Sequence, residues 1–300
     1  MKVSVIIPNY CHSRFLRERI DSVLAQTYED FEIIILDDCS TDNSREIIES
    51  YRPQKKISHI EYNDKNSGST FIQWKKGFEL ARGEYIWIAE SDDFADRRFL
   101  ELCLGALEQD TRCTVAYADS LYVDAQSRII SRVRKKKRKL YACEQGRRFV
   151  KKRMLRTNSI YNASMALFRR DALPASDDFT RYRYAGDWLF WAQVALSGKV
   201  VHVCRDLNYF RQHEIKVSNQ ARKDGLQFSE GYEVVHRIFE AAKISRPRRL
   251  ATAGSYFHKM ERYASRNGWQ VCRESYEAWK KEYPCAFTVL LFRWWYKLID

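Results

Sequence analysis

The pattern of apolar and polar positions changes period repeatedly along the first ninety residues. Val3 to Ile7 form an apolar run closed by Pro8, which predicts a central parallel strand. Phe15, Leu16, Ile20, Val23 and Leu24 then recur at helical spacing behind Ser13, a residue suited to capping. Phe31 to Leu36 read as a second buried strand, ending in Asp37-Asp38-Cys39-Ser40. A helix is expected from Thr41 or Asp42 through Ile48, and a third strand over Ile57 to Tyr62. Asn66-Ser67-Gly68 is a turn, and Phe71, Trp74, Phe78 and Leu80 mark a helix that stops at Gly83. Tyr85 to Ala89 make a fourth strand. Strands alternating with helices predict an α/β fold with a doubly wound, mostly parallel sheet.

Further along, a helix is expected from Phe94 to about Leu107, a strand over Val115 to Ala118, and a hairpin over Tyr122 to Ile130. Ser164 to Phe168 are strand-like. A helix opens at Gly186-Asp187-Trp188, runs through Leu196 and stops at Gly198. Val200 to Val203 form another strand. From about Lys216 the pattern is helical and rich in cations and aromatics, so an α/β domain over 1–218 and a helical region over 219–300 are expected. The tail from Phe287 to Leu298 suits a last core helix and a membrane-interface helix equally well.

Three strands end in polar residues that the core does not need: Asn9-Tyr10, Asp37-Asp38, and Glu90-Ser91-Asp92-Asp93. Polar strand ends along one edge of a parallel sheet make a ligand crevice. The last group puts three carboxylates in four positions, where like charges repel unless a cation or a proton lies between them. Oxygen ligands of this kind suit Mg²⁺ or Mn²⁺ shared with phosphates. An acidic turn capping the next helix explains the same residues equally well. Asp187, taken alone, is best read as a helix cap. No GxGxxG or GxxxxGK[ST] pattern is present, so phosphates must be held by other means.

Composition narrows the partners. The chain of 300 residues is 45% hydrophobic, enough for a full core, and carries a net charge of +13. Much of that charge lies in Arg132 to Lys139 and Arg147 to Arg156. Such blocks fit nucleic acid, an anionic membrane or a phosphorylated substrate, while a solvated loop is the plainer reading of the lysine run. No helix-turn-helix, zinc-finger or RNP pattern accompanies them, so nucleic acid is not the expected partner. The eight cysteines include no CxxC pair, and Cys103, Cys113 and Cys204 read as small core residues. The N-terminus opens on a strand rather than a signal peptide, and no apolar stretch spans a bilayer, so a cytoplasmic location is expected.

Four motifs carry a resemblance: Val3-Ser4-Val5-Ile6-Ile7-Pro8-Asn9-Tyr10, Ser22-Val23-Leu24-Ala25-Gln26-Thr27-Tyr28, Ile35-Leu36-Asp37-Asp38-Cys39-Ser40-Thr41-Asp42, and Ala81-Arg82-Gly83-Glu84-Tyr85 leading to Glu90-Ser91-Asp92-Asp93. In this order they resemble glycosyltransferase family 2, inverting enzymes of the GT-A fold. Gly186-Asp187-Trp188-Leu189-Phe190-Trp191 is similar to the family's catalytic-base segment, and Tyr209-Phe210-Arg211-Gln212-His213 to its closing Arg-x-His element. The resemblance covers about residues 1–218.

It implies a nucleotide-sugar donor, UDP-linked by default, and a polysaccharide or lipid-linked oligosaccharide acceptor; the positive charge and the aromatic tail fit peripheral work at an anionic membrane face. It implies nucleotide binding by Pro8, Asn9, Tyr10, Asp37, Asp38 and Asp92, with Tyr10 stacking on the base and Asp38 accepting a hydrogen bond from it. Mn²⁺ or Mg²⁺ would be held by Asp93, Asp92 and His213. Arg211 and Trp188 would face the diphosphate and acceptor, and Asp187 would be the general base. A binding protein that has lost catalysis is the alternative within the same resemblance.

Overall fold

A computed structural model describes residues 1–132, 139–213 and 223–284. The lysine run at 133–138 and the Phe287 to Leu298 tail lie outside the described residues. The first half alternates β1 (Val3–Asn9), α1 (Ser13–Leu24), β2 (Phe31–Asp37), α2 (Ser44–Tyr51), β3 (Ile57–Tyr62), α3 (Thr70–Leu80) and β4 (Tyr85–Ile88). A short β5 (Phe94–Ala95) precedes α4 (Phe99–Glu108), and β6 (Cys113–Val123) turns into β7 (Ile129–Arg132). Then come β8 (Tyr141–Gln145), α5 (Gly146–Phe149) running into a π-helical turn (Val150–Met154), β9 (Ala166–Arg169), α6 (Gly186–Leu196) and β10 (Lys199–Arg211). Helices α7 (Leu226–Ala241), α8 (Arg246–Asn267) and α9 (Arg273–Glu282) follow.

The sheet runs β3-β2-β1-β4-β9-β6-β10-β5. Strands β3, β2, β1 and β4 are mutually parallel, and β9 is inserted antiparallel between β4 and β6. The chain steps outward from β1 through β2 to β3, then returns to place β4 on the other side of β1. The carboxyl ends of β1 and β4 therefore flank a topological switch point, where a doubly wound sheet opens a crevice.

Both faces of the sheet are covered, and the strand sequences show why. Val3, Val5, Ile7, Ile33, Ile35 and Trp87 point into one core with α1, α2 and α4. Ile6, Ile34, Leu36, Ile86 and Ile88 point into the other, with α3, α6 and the C-terminal helices. Strands apolar on both faces are the mark of a buried parallel sheet. Helix α6 is apolar nearly all round because α7 packs on its outer side. Gly83 has room only for a hydrogen, since a Cβ there would lie 2.6 Å from the Ser4 nitrogen.

Two elements differ from the sequence pattern. Helix α4 starts at Phe99, because Phe94 and Ala95 pair instead with Tyr209 and Asn208 of β10. Strand β10 is one 13-residue strand with register shifts around Asp206, where polar Arg205 and Asp206 interrupt the apolar run. No helix among the described residues is long and apolar enough to cross a membrane.

At the opposite end of the sheet from the crevice, buried Glu32 accepts hydrogen bonds from Ser4 Oγ at 2.7 Å and from Arg82 Nη2 at 2.6 Å. Burial alone would raise its pKa, but the bonds from Arg82 and Ser4 outweigh that and bring it down to about 2. A folded-state pKa below the unfolded value adds stability above pH 4.5 that is lost as pH falls toward 2. Glu32→Gln is expected to lower the melting temperature at pH 7 and to flatten its decline in that acidic window, as read by calorimetry.

Candidate active site

The loops after β1 and β2 are stitched together. Asn9 Nδ2 donates to Asp37 Oδ1 at 2.7 Å, Ser40 Oγ donates to the same oxygen at 2.6 Å, and the Cys11 amide donates to Ser40 Oγ at 2.8 Å. Cys11 and Cys39 both hold left-handed backbone, with φ of 53° and 61°. Non-glycine residues in that region cost about 1–3 kcal/mol each and persist where surrounding contacts enforce them. Asp42 accepts from the amides of Ser13 at 2.8 Å and Ser44 at 3.0 Å, so one carboxylate serves the first turns of α1 and α2. The cap position of α1 falls on His12 rather than Ser13, and the His12 side chain makes no cap hydrogen bond. Between the stitched loops Tyr10 stands 47% exposed, while Pro8, Asn9 and Asp37 are buried beneath it in the chain.

Asp38 is also buried and does a second job. Its Oδ1 accepts from Asn63 Nδ2, the Ser67 amide and Gln73 Nε2 at 2.6, 2.9 and 2.9 Å, which fixes the Asn66-Ser67-Gly68 turn. Its Oδ2 accepts from Ser67 Oγ at 2.7 Å.

The three carboxylates after β4 part company. Glu90 takes a hydrogen bond from Trp74 Nε1 at 2.9 Å, and burial together with the Asp92 charge pushes its pKa up to about 8. It is a neutral acid at pH 7. Asp93 is fully buried. Its Oδ2 accepts from Asn162 Nδ2 at 2.7 Å and Ser164 Oγ at 2.8 Å, and its Oδ1 from the Arg211 amide at 3.0 Å. Asp92 is partly exposed, with Oδ2 3.0 Å from His213 Nε2. Arg19 lies beneath all three. It donates to the Glu90 carbonyl at 2.8 Å, and burial lowers its pKa to about 10 while the carboxylates hold its charge in place.

His12, Asp92 and His213 bring one donor atom each to within 4.8 Å of one another. They come from the β1–α1 loop, the β4–β5 loop and the end of β10, so the fold, not local sequence, assembles them. His12 Nδ1 also lies 2.9 Å from Ser91 Oγ, and its ring meets His213 edge-on at 5.6 Å. Two imidazoles and a carboxylate fit a divalent transition metal.

Three residues sit differently from the sequence expectation. Asp93, expected as a metal ligand, has both carboxylate oxygens engaged by internal donors. Arg211, expected at the diphosphate, is fully buried; it donates to the carbonyls of Asp92 and Asp124 at 2.7 and 3.0 Å and pairs with Glu18. Trp188, expected at the acceptor, is only 7% exposed and donates from Nε1 to the Met154 carbonyl at 2.8 Å. The common reason is burial: these side chains hold the loops that carry the accessible ones.

Asp187 lies in the first turn of α6 and is partly accessible. The turn is tight, since a Cβ on Gly186 would lie 2.3 Å from the Phe179 carbonyl. Its oxygens accept from the Trp188 amide at 2.7 Å and Asn158 Nδ2 at 2.9 Å. Burial nevertheless outweighs those bonds and raises its pKa to about 7, a value suited to taking a proton near neutrality. Asn158 and Asn162 stand four residues apart, so their Cα atoms lie within about 14 Å. One short segment thus contacts both Asp187 and Asp93. Asn158, His12 and Arg19 lie outside the motifs that mark the site in the sequence. A polar residue inside an apolar helix face, as at Arg19, was the available signal.

A doubly wound α/β sheet with an acid-lined crevice at its switch point is a ligand-binding architecture. The sequence profile described as Glycosyl transferase family 2 matches residues 4–175, and the chain belongs to that family. An uncharacterised glycosyltransferase of Nostoc sp. is 27% identical over 295 residues, covering 91% of this chain and 88% of its own. The poly(ribitol-phosphate) β-N-acetylglucosaminyltransferase TarS of Staphylococcus aureus is 33% identical over 105 residues, covering 34% of this chain and only 18% of TarS. The TarS 1–349 structure in complex with UDP-GlcNAc superposes with a TM-score of 0.61 at 17% identity, covering 94% of this chain and 92% of that one. A mannosyltransferase of Pyrobaculum calidifontis, solved with GDP-Man and Mn²⁺, gives 0.53 at 14% identity, covering 97% and 86%. The fold is therefore GT-A, and the protein is a glycosyltransferase.

Because Arg211 is wholly internal, Arg211→Met is expected to destabilise the fold by about 3–5 kcal/mol, the cost of breaking a buried charge network. Denaturant unfolding measures it. A variant with unchanged stability and weakened nucleotide affinity would return Arg211 to the diphosphate.

Proposed function

We propose that the protein transfers a sugar, with inversion, from a UDP-sugar to a hydroxyl of a polysaccharide or lipid-linked oligosaccharide. The observation that carries the reading is Asp187: a partly accessible carboxylate at a helix start, held by Asn158, with a pKa near 7. Inverting transfer needs one base to take the acceptor's proton as the new bond forms on the face opposite the leaving group. Tyr10 offers an exposed ring for a nucleobase, and Asp38 a remaining acceptor position on Oδ2. Asp37 and Asn9 hold the loop that presents Tyr10. His12, Asp92 and His213 would hold the divalent cation, with Mn²⁺ favoured over Mg²⁺ by the two imidazoles. When bound, such a cation neutralises charge on the diphosphate leaving group. Glu90, neutral and bonded to Trp74, keeps a second negative charge away from that position. The names of TarS and its UDP-GlcNAc complex support the choice of donor base and of an envelope-polymer acceptor.

Incubation with Mn²⁺ and UDP-, GDP- and dTDP-sugars, with transfer and UDP binding read separately, tests the proposal. Asp187→Asn is expected to lower kcat by about 10²–10⁴-fold while leaving UDP affinity within twofold. In the wild type, kcat/KM should fall tenfold per pH unit below about 7, as Asp187 takes up a proton. The sign for stability is opposite. A carboxyl whose folded pKa is raised gives up stability as pH rises through 7, so Asp187→Asn should melt higher than wild type at pH 8. Full turnover in Asp187→Asn would assign the proton to another group.

A further inference from the structure

Four cations of the 147–156 stretch line a cavity separate from the candidate active-site residues. Arg147, Arg148, Lys151 and Lys152, on α5 and the π-helical turn, form one wall of a pocket of about 500 Å³. Ser245 and Arg248, at the start of α8, form the other. Arg248 Nη1 donates to the Lys151 carbonyl at 3.0 Å, which fixes one wall against the other. None of the residues lining the pocket is acidic.

Five cations around one concavity repel one another, and the pairs Arg147/Lys151 and Arg148/Lys152 fall at a spacing that brings like charges together on a helical turn. A solvated helix face would alternate signs. We propose that this pocket binds phosphate groups of a phosphate-bearing polymer acceptor, a reading that rests on the transferase function proposed above. The pocket is concave, and among the described residues none of the exposed large hydrophobic side chains lines it. An interfacial lipid anchor needs such side chains, so a discrete phosphate fits better than a membrane surface. The same segment continues from the pocket to the Met154 carbonyl that receives Trp188 Nε1, and then to Asn158 on Asp187. A chain seated in the pocket is thereby held on the segment that orients the base.

The test uses the full chain with the donor site filled by UDP and Mn²⁺, and a fluorescein-labelled glycerol-phosphate octamer as the probe. Both Arg148 and Lys152 are exposed, so reversing them spares the core. Arg148→Glu/Lys152→Glu is expected to weaken octamer binding at least tenfold and to raise KM for a phosphate-bearing acceptor. Hydrolysis of the donor by water and UDP affinity should be unchanged. Lys55→Glu/Arg266→Glu, which reverses two exposed cations outside the pocket, should change octamer affinity less than twofold. Equal loss in both double variants would make the binding a net-charge effect and overturn the proposal. So would octamer binding that is absent or unaffected by the pocket variant. Pocket-dependent binding to phosphatidylglycerol vesicles or single-stranded RNA but not to the octamer would overturn it in favour of that ligand. Failure of UDP binding and transfer with octamer binding intact would reject the transferase reading alone.

Discussion

Three carboxylates within four positions at the end of β4 are the constraint around which the crevice is built. At such spacing they cannot all stay ionised and unpaired. The fold resolves the repulsion three ways. Glu90 keeps its proton under Trp74, Asp93 is surrounded by Asn162, Ser164 and the Arg211 amide, and Asp92 is left facing His12 and His213. Arg19 supplies a buried positive charge below them. One residue of the three thus faces two imidazoles, and the other two are held by internal donors.

That division explains why so much of the surrounding structure is polar yet buried. Arg211 reaches the Asp92 carbonyl, Glu18, Asp124 and Ser127, binding the end of β10 to α1 and to the β6–β7 turn. His213 arrives beside Asp92 because β10 stays paired through its bulges as far as Arg211. The segment from Asn158 to Ser164 links Asp187 to the acid loop. Changing one of these contacts moves several others, which is what a site held to fractions of an ångström requires.

The sheet was legible because both-face apolar strands, such as Val3 to Ile7 and Phe31 to Leu36, have no other comfortable fold. Motifs mark Asp187, Asp92 and Tyr10 as candidates, and their places in the first turn of α6 and just after β4 and β1 follow from the strand and helix pattern. The inward turn of Asp93 and Arg211 was not, because sequence gives residue type but not which of two adjacent carboxylates the backbone points inside. His12 was missed for a related reason: its partners stand 80 and 201 positions away in the chain, and only the closed sheet brings them together. Trp188 illustrates the opposite error, in which an aromatic beside the base reads as a binding surface although α7 covers that helix.

The most direct test compares Asp92→Asn with Asp93→Asn, measuring Mn²⁺ affinity by electron paramagnetic resonance and melting temperature on the same samples. The division of roles predicts that Asp92→Asn weakens Mn²⁺ binding while melting within a degree or two of wild type. It predicts that Asp93→Asn melts well below wild type and, while still folded, binds Mn²⁺ nearly as tightly. The reverse pattern, with Mn²⁺ lost on changing Asp93 and stability lost on changing Asp92, would contradict it.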